Sequence, residues 1–189
     1  MLRYVNKLAR GNHVVLFYDD PNEMQTILLE IIRDGLRKKE VVAYLCRDVN
    51  KARTLLSEHG IDFGRYEKDG LMDIGEVAPE QSRRLGIEFS SKPDAFMNWL
   101  KAYFDKKGRR PFRMIVDSPL NFGNHQCTIE IEKMNENHFR GKASGRLPAK
   151  LVCVYRSKDV VKANEGELFF KLIKTHSHAV FPGIALHTE

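Results

Sequence analysis

The sequence predicts an α/β protein in which a mostly parallel central sheet lies between two layers of helices, a three-layer sandwich. Strand-like apolar segments alternate with amphipathic helices along the whole chain, which favours a parallel sheet. The best strands are apolar at every position, as expected when helices cover both faces. A chain of 189 residues without a shift in composition fits a single domain over residues 1–189, with residues 1–12 as an arm or short helix.

The segment His13–Cys46 contains the clearest βαβ unit. A β-branched and aromatic strand at Val14–Tyr18 is followed by a helix. Asp20 is predicted to be the N-cap of this helix, and Pro21 occupies its first position. A second, wholly apolar strand follows at Val41–Cys46. This unit sets the expected order of strand, helix and strand for the rest of the chain.

The later elements are predicted from the same signals of periodicity, caps and glycine stops. Asp48 caps a helix that ends at Gly60, and residues 76–92 have no clear pattern. The other predicted elements are a weak strand Leu71–Ile74, a helix Pro93–Gly108, a strand Met114–Val116 ending at Asp117, a helix Cys127–Phe139, a strand Leu151–Tyr155, a helix Glu167–His176 and a last edge strand Val180–Leu186 containing Pro182.

The net charge of +6 is partly concentrated in two stretches. One flanks the turn at 106–113, with Lys106, Lys107, Arg109, Arg110 and Arg113. The other is the loop region 140–150, with Arg140, Lys142, Arg146 and Lys150. Such stretches either bind an anionic partner such as nucleic acid or are solvated loops. Solvated loops are favoured, because no nucleic-acid motif accompanies the charge.

Composition also bears on the compartment. The three cysteines, Cys46, Cys127 and Cys153, form no CxxC pair, which favours reduced thiols and a cytoplasmic protein. No leader sequence and no segment long enough to span a membrane is recognised.

The first strand-to-helix turn argues against phosphate binding. A P-loop needs glycines and a lysine between strand and helix, so that backbone N–H groups can surround the phosphates. The chain instead has Asp19, Asp20, Pro21 and Glu23 there, which repel phosphate and lack one N–H donor. No G-x-S-x-G nucleophile motif occurs. The sequence therefore predicts no ATP hydrolysis, no cofactor and no enzyme.

Acidic residues follow several predicted strands: Asp19, Asp20, Asp48 and Asp117. Carboxyl ends of parallel strands share one edge, so these groups could bind Mg²⁺ or, with Asp19 and Asp20, form a receiver-like phosphoacceptor. The segment Leu16–Gly35 resembles the start of a response-regulator receiver domain. The third strand, however, offers only Asp73, which lies inside the strand, and no later strand ends in Lys-Pro. Helix capping is favoured for these aspartates.

Histidine spacing predicts no metal site. His125-x-Cys127 and His176-x-His178 are two residues apart, and side chains at that spacing on a helix do not face together. His176 is interpreted as a partner of a helix C-terminus. The aromatic side chains of 96–104, with Phe169 and Phe170, are predicted to be core, with an apolar ligand pocket as the alternative.

Several short motifs, in order, resemble the MEDS family, the sensory domain of methanogens and of the dichloromethane-responsive regulator DcmR. The opening matches in His13, the strand ending at Tyr18, the acidic turn, Gly35-Leu36 and Glu40. Further matches are Gly60-Ile61-Asp62, Glu132-x-x-Asn135, Cys153-Val154-Tyr155 and His176. Ser177 stands where the family often has proline, and residues 76–112 do not match clearly.

The resemblance implies a RecA/KaiC-like fold without a nucleotide loop and a non-catalytic sensory role. It implies a small-molecule ligand, such as a hydrocarbon derivative, and a regulatory protein partner, either a kinase or a transcription factor. A homodimer is expected from base rates alone. The candidate ligand-binding residues are His13, Tyr18, Asp19, Asp20, Glu40, Asp117, Glu132, Asn135, Tyr155 and His176.

Overall fold

The computed structural model describes residues 8–9, 11–76, 93–108, 110–117, 132–133, 136, 149–163, 167–181 and 184–187. Its strands are β1 (His13–Tyr18), β2 (Val41–Cys46), β3 (Met72–Glu76), β4 (Phe112–Asp117), β5 (Ala149–Arg156), β6 (His178–Phe181) and β7 (Ile184–His187). Its helices are α1 (Pro21–Arg37), α2 (Val49–Glu58), α3 (Phe63–Lys68), α4 (Pro93–Lys106), α5 (Ser157–Ala163) and α6 (Glu167–Lys174).

The described strands form one seven-stranded sheet in the order β3-β2-β4-β5-β1-β6-β7. Strands β1 to β6 run parallel, and β7 pairs with β6 in the antiparallel direction. The first strand, β1, lies inside the sheet, between β5 and β6. Its amino end and its carboxyl end therefore lie at the two opposite ends of the parallel strands. The predicted α/β class with a mostly parallel sheet is confirmed.

Helix caps place the turns of the first βαβ unit as the sequence predicts. The Asp20 carboxylate accepts a hydrogen bond from the N–H of Asn22 at 2.9 Å, which caps α1. At the other end of α1, Lys39 has a φ of 56°, and the N–H of Glu40 donates to the carbonyl of Gly35 at 2.9 Å. This left-handed turn brings the chain directly into β2. Asp48 caps α2 by accepting a hydrogen bond from the N–H of Lys51 at 3.0 Å.

Each face of the sheet has its own apolar core. On one face, the side chains of α1 and α2 pack on alternate residues of β1, β2 and β5, including Leu16, Tyr44 and Val154. On the other face, α4, α5 and α6 pack on the remaining residues of these strands, including Phe17 and Tyr155. The arrangement is the predicted three-layer sandwich, and the alternation along each strand assigns every strand side chain to one face.

The chain end differs from the prediction of a single strand Val180–Leu186, which is wrong. The structure has two antiparallel strands, β6 and β7, on either side of residues 182–183. A Pro-Gly pair is a strong turn signal and interrupts a strand pattern, so the apolar run is divided between two strands.

Three further details were missed or wrongly predicted. Helices α3 and α5 were not predicted, because both have fewer than eight residues and give little periodicity. Phe170 is not core: it is 65% exposed, because Leu168 and Leu172 occupy the side of α6 that faces the sheet.

Some predictions fall outside the described residues. These are most of the helix Cys127–Phe139, in which Glu132, Lys133 and Glu136 are described as helical, the loop 140–148 and Pro182. Within the part of the chain that the structure describes, no helix is long and apolar enough to cross a membrane.

Candidate functional site

The structure distributes the predicted site residues over three places. His13, Glu132, Tyr155 and His176 meet on the α4 and α6 face of the sheet. Glu40 belongs to a buried ion-pair group on the α1 face. Tyr18 and Asp117 line a cavity at the carboxyl edge of the sheet. Asp19 and Asp20 are exposed at the start of α1, and Asn135 lies outside the described residues.

The first place is a histidine cluster, which we define as His13, Glu132, Cys153 and His176. One nitrogen, oxygen or sulfur atom of each lies within 4.8 Å of the corresponding atom of the other three. Glu132 Oε2 is central: it lies 3.0 Å from His13 Nε2, 3.5 Å from His176 Nε2 and 3.6 Å from Cys153 Sγ. All four side chains are buried. The cluster therefore concentrates four chemically active groups without contact with bulk water.

Backbone pairing explains how distant parts of the sequence meet here. His13 begins β1, and Val15 pairs with Cys153 on the parallel strand β5. His176 follows α6, and the next residue, Ser177, fixes the start of β1. The Ser177 hydroxyl donates to the His13 carbonyl at 2.6 Å, and the Ser177 N–H donates to the same carbonyl at 2.9 Å. The two histidine rings then lie 3.9 Å apart, centroid to centroid.

A set of outer contacts orients the cluster. The Tyr155 hydroxyl donates to Glu132 Oε1 at 2.6 Å, so Oε2 is the oxygen that faces the other three groups. His13 Nδ1 lies 3.3 Å from a carboxylate oxygen of Glu136. His176 Nδ1 lies 2.6 Å from the carbonyl oxygen of Leu172. Because that carbonyl can only accept, Nδ1 of His176 carries the proton and Nε2 carries a lone pair.

The neighbours of these groups shift their protonation equilibria. Burial alone would raise the pKa of Glu132, but the two imidazoles and the Tyr155 hydroxyl outweigh it and lower the pKa to about 2. Burial lowers the pKa of His176 to about 3, and the adjacent His13 acts in the same direction. Burial opposes the charged form of His13, yet Glu132 and Glu136 raise its pKa overall. Burial raises the pKa of the Cys153 thiol well above its usual value.

The second place is an arginine cluster, which we define as Arg113, Lys150, Asp34 and Glu40. The Arg113 guanidinium contacts Asp34 Oδ2 at 2.9 Å and Glu40 Oε2 at 2.8 Å, and Lys150 Nζ contacts Glu40 Oε1 at 2.6 Å. Arg113 also donates to the Ile31 carbonyl at 2.8 Å. Glu40, a predicted ligand-binding residue, is thus engaged on both carboxylate oxygens by buried cations.

This cluster corrects the interpretation of the basic stretches as loops. Arg113 and Lys150 are 1% and 7% exposed, because each is the second residue of a parallel strand and contacts the buried acids Asp34 of α1 or Glu40, which directly precedes β2. Two of the nine basic residues are therefore unavailable to nucleic acid. The remaining loop residues 140–148 lie outside the described part of the chain.

The third place is a cavity of about 310 Å³ at the carboxyl edge of the sheet, between the ends of β1, β2 and β4 and the first turns of α1 and α2. Its polar lining includes Tyr18, Tyr44, Asp48, Lys51 and Asp117, and its apolar lining includes side chains such as those of Met24, Leu28 and Leu55. The Tyr44 hydroxyl donates to Asp117 at 3.4 Å. Burial raises the pKa of Cys46, at the same edge, to about 12, so this thiol stays protonated.

The structure separates residues that the sequence interpretation grouped together. Tyr155 does not line this cavity: it lies on the opposite face of the sheet and bonds Glu132. Of the four strand-end aspartates, Asp48 and Asp117 reach the cavity, whereas Asp20 caps α1. The strand order also argues against a receiver fold, in which the first strand lies between the second and third in the order 2-1-3-4-5. Here β1 lies between β5 and β6.

Cys153 belongs to the histidine cluster but is missing from the candidate ligand-binding residues, although it opens the Cys153-Val154-Tyr155 motif. A usable signal existed: Cys153 and Tyr155 are two apart on a strand, so both point to one face. The pairing of β5 with β1, which brings Cys153 to His13, has no local signal in the sequence.

Comparisons with known proteins agree with this architecture. A family model described as "MEthanogen/methylotroph, DcmR Sensory domain", abbreviated MEDS, matches residues 12–177. Among solved structures, a KaiC-like protein from the hyperthermophilic archaeon Pyrococcus horikoshii is similar, with a TM-score of 0.59 and 16% identity. That likeness covers 91% of this chain and 71% of the other. It confirms the expected KaiC-like fold. The comparison with curated proteins found no match.

Proposed function

The chain belongs to the MEDS family of sensory domains, and from this premise we propose that it is a non-catalytic sensory module that binds a small molecule in the carboxyl-edge cavity. The observation that carries the proposal is the place of that cavity. In open parallel α/β sheets, ligands bind in crevices outside the carboxyl ends of the strands. The cavity occupies such a crevice and combines an apolar wall with a few polar groups, as ligand pockets commonly do.

The lining narrows the class of ligand. A volume of about 310 Å³ is at the lower end of the range for small-molecule pockets, so the occupant is small. The Tyr18 hydroxyl and the Asp117 carboxylate offer hydrogen-bonding groups beside the apolar side chains of α1 and α2. A small, weakly polar organic compound, such as a one-carbon or short hydrocarbon derivative, fits this mixture.

The turn between β1 and α1 supports binding without turnover of a nucleotide. Its Asp19 and Asp20 side chains are exposed, and Pro21 begins the helix. At this helix N-terminus the Asp20 carboxylate already accepts a backbone N–H. A phosphate group placed there would be repelled by the aspartate charges. We expect neither ATP hydrolysis nor tight ATP binding.

The signal would pass to a separate regulatory protein, a kinase or a transcription factor. The buried, free thiols of Cys46 and Cys153 suit a reducing compartment such as the cytoplasm. The regulatory partner follows from the family role, and a homodimer from base rates alone.

The test is a ligand-observed NMR screen of small organic fragments that includes dichloromethane, methanol and methylamine. Gln25 lines the cavity from the exposed side of α1, so Gln25→Trp should obstruct the mouth without disturbing the core. Thr26 is the next residue of α1, is also exposed and lies outside the lining, so Thr26→Trp is the matched control. We expect fragment binding to weaken at least about tenfold in Gln25→Trp, equivalent to about 1.4 kcal/mol, and to persist in Thr26→Trp.

Two results would contradict the proposal. One is a set of bound fragments that Gln25→Trp does not displace, which would move the ligand site elsewhere. The other is calorimetric binding of ATP with micromolar affinity or a measurable rate of ATP hydrolysis, which would restore a nucleotide-dependent function.

A further inference from the structure

We propose that the histidine cluster binds one Zn²⁺ ion through His13 Nε2, His176 Nε2, Glu132 Oε2 and Cys153 Sγ. This site is distinct from the carboxyl-edge cavity, since it lies on the opposite face of the sheet and at the other end of β1. It goes beyond the proposed sensory function and does not depend on it. It also replaces the expectation from sequence spacing that the chain has no metal site.

The donor set is one that zinc uses. Zinc binds histidine nitrogen, cysteine sulfur and carboxylate oxygen, and its structural sites almost always hold four protein ligands in a tetrahedron. The cluster offers four such donors, two nitrogens, one oxygen and one sulfur. Hard cations such as Mg²⁺ prefer oxygen ligands, whereas this mixture with a thiol favours zinc or a similar transition metal.

The distances between the donors agree with a tetrahedral site. Four atoms placed about 2.1 Å from a central ion at tetrahedral angles lie about 3.4 Å from one another. The contacts of Glu132 Oε2 with the two imidazoles are 3.0 Å and 3.5 Å. Cys153 Sγ lies 3.6 Å from that oxygen and 3.5 Å from His13 Nε2. The remaining pairs of donors lie within 4.8 Å of one another, so side-chain movements on the order of 1 Å would close the four donors around an ion.

The outer contacts are those that a metal site requires. A ligating histidine usually donates its second ring N–H to a carboxylate or a backbone carbonyl, which fixes the ring and its tautomer. His13 Nδ1 lies beside the Glu136 carboxylate, and His176 Nδ1 beside the Leu172 carbonyl. Tyr155 holds the remaining oxygen of Glu132. The two histidines and the glutamate are thus each oriented by a partner outside the proposed ligand set.

Charge and burial define the kind of site. A thiolate and a carboxylate together neutralise Zn²⁺, so the complex can remain buried without a net charge. The four side chains are at most 2% exposed, which leaves no position facing bulk solvent. A closed four-ligand site is structural rather than catalytic. It would fasten β1, β5, the helical segment at Glu132 and the turn after α6 to one another.

Cobalt substitution tests the assignment of the ligands. The protein is purified, stripped with a chelator and titrated with Co²⁺, and then with Zn²⁺ in competition with a chromophoric chelator. We expect one ion per chain, intense visible absorption of tetrahedral Co²⁺ and a thiolate-to-cobalt charge-transfer band. Cys153→Ser should abolish that band and weaken Zn²⁺ binding by more than about 100-fold, beyond the usual cost of losing an outer-shell partner.

The chain supplies matched controls for each ligand. Cys46→Ser removes the buried thiol of the opposite face, and Cys127→Ser removes the third cysteine; both should retain the band. His176→Gln should weaken binding while keeping the band, whereas His178→Gln, two residues away and half-buried, should change neither. Far-ultraviolet circular dichroism verifies that each variant is folded, and His176→Gln decides the case if Cys153→Ser does not fold.

The proposal is overturned if the wild-type chain binds no Zn²⁺ or Co²⁺ at micromolar concentration. It is also overturned if the charge-transfer band is absent from the wild-type complex, or if it survives Cys153→Ser and disappears in Cys46→Ser or Cys127→Ser. Each of these results leaves the fragment-binding test of the cavity unaffected, so the two proposals fail separately.

Discussion

The two buried polar clusters lie on opposite faces of the same sheet and differ in how their charges are balanced. In the arginine cluster, Arg113 and Lys150 contact Asp34 and Glu40 directly, at 2.6–2.9 Å. In the histidine cluster, one carboxylate is surrounded by two imidazoles, a thiol and a phenol. The first group consists of direct pairs between cations and carboxylates, whereas the second group has no lysine or arginine and consists of side chains that can bind a metal ion.

This difference separates a structural tie from a site that can bind. Removing one member of a paired buried group leaves an uncompensated charge, so the arginine cluster should respond strongly to mutation and weakly to solutes. The histidine cluster contains donors for which a cation and protons compete, so it should respond to added metal. Stability measurements can distinguish the two responses.

The largest effect is expected from Arg113→Met, which removes the central cation of the arginine cluster. Asp34 would keep Lys38 and Arg37 at its solvent side, and Glu40 would keep only Lys150 among the partners defined here. Breaking a buried pair by removing one partner costs about 3–5 kcal/mol. We expect a loss of this size in the free energy of unfolding, measured by urea denaturation with circular dichroism.

Arg37→Met is the control for that experiment. Arg37 pairs with the same carboxylate, but its side chain is 69% exposed, and exposed ion pairs contribute about 0–1 kcal/mol. Equal losses of unfolding free energy in Arg113→Met and Arg37→Met would show that burial does not determine how much the arginine cluster contributes to stability.

A smaller effect is expected from Zn²⁺ at the histidine cluster. An ion that binds only the folded chain stabilises it by about 2.7 kcal/mol at a free concentration of 100 times Kd. We expect this increase in the wild-type protein, its reversal by a chelator, and its loss in Cys153→Ser. Thermal and urea unfolding with and without the ion provide the measurement. The same increase in Cys153→Ser would contradict the assignment of that ligand.

The smallest effect is a pH dependence at Asp34. Burial alone would raise the pKa of this carboxyl group, but hydrogen bonds from Lys38, Arg37 and Arg113 outweigh it and lower the pKa to about 2. Because the pKa of Asp34 in the folded chain lies below its ordinary value, ionised Asp34 stabilises the folded state. This contribution is complete above about pH 4 and is lost as the pH falls toward 2. Two of the three partners are partly exposed, so we expect on the order of 1–2 kcal/mol.

That contribution is isolated by comparing the wild-type chain with Asp34→Asn between pH 5 and pH 2, in the presence of a chelator. The difference in unfolding free energy should shrink as the pH falls. A difference that stays constant over this range would mean that Asp34 is not held ionised by its neighbours.

Much of the fold was predictable because its signals are local. The Asp20 and Asp48 caps, the stop at Gly60 and the apolar strands β1 and β2 are all found where the sequence places them. The same strong signals identified α4 and β4. Short helices such as α3 give too few residues for periodicity, and the Pro-Gly pair of the sequence was included within a strand although β6 ends before it.

The candidate sites were less predictable because they depend on contacts between distant segments. His13 and Cys153 are 140 residues apart, and their meeting requires the pairing of β1 with β5, although β2, β3 and β4 lie between these two strands in the sequence. The two basic residues of the arginine cluster look like loop charges until the second positions of β4 and β5 are placed beside α1. His176 was interpreted as a helix-end partner, which its contact with Leu172 supports, but its other nitrogen faces Glu132.

The central strand β1 sets a distance that matters for signalling. It has His13 at its amino end and Tyr18 at its carboxyl end, five residues apart, which corresponds to about 17 Å in an extended strand. Their side chains also leave the sheet on opposite faces. A molecule in the cavity and an ion in the histidine cluster are therefore too far apart to touch, and β1 is hydrogen-bonded to β5 and β6 on both sides. Mechanical communication between the cavity and the histidine cluster would require the whole of β1 to shift or to become more rigid. Either change would be detected as altered amide hydrogen exchange along β1.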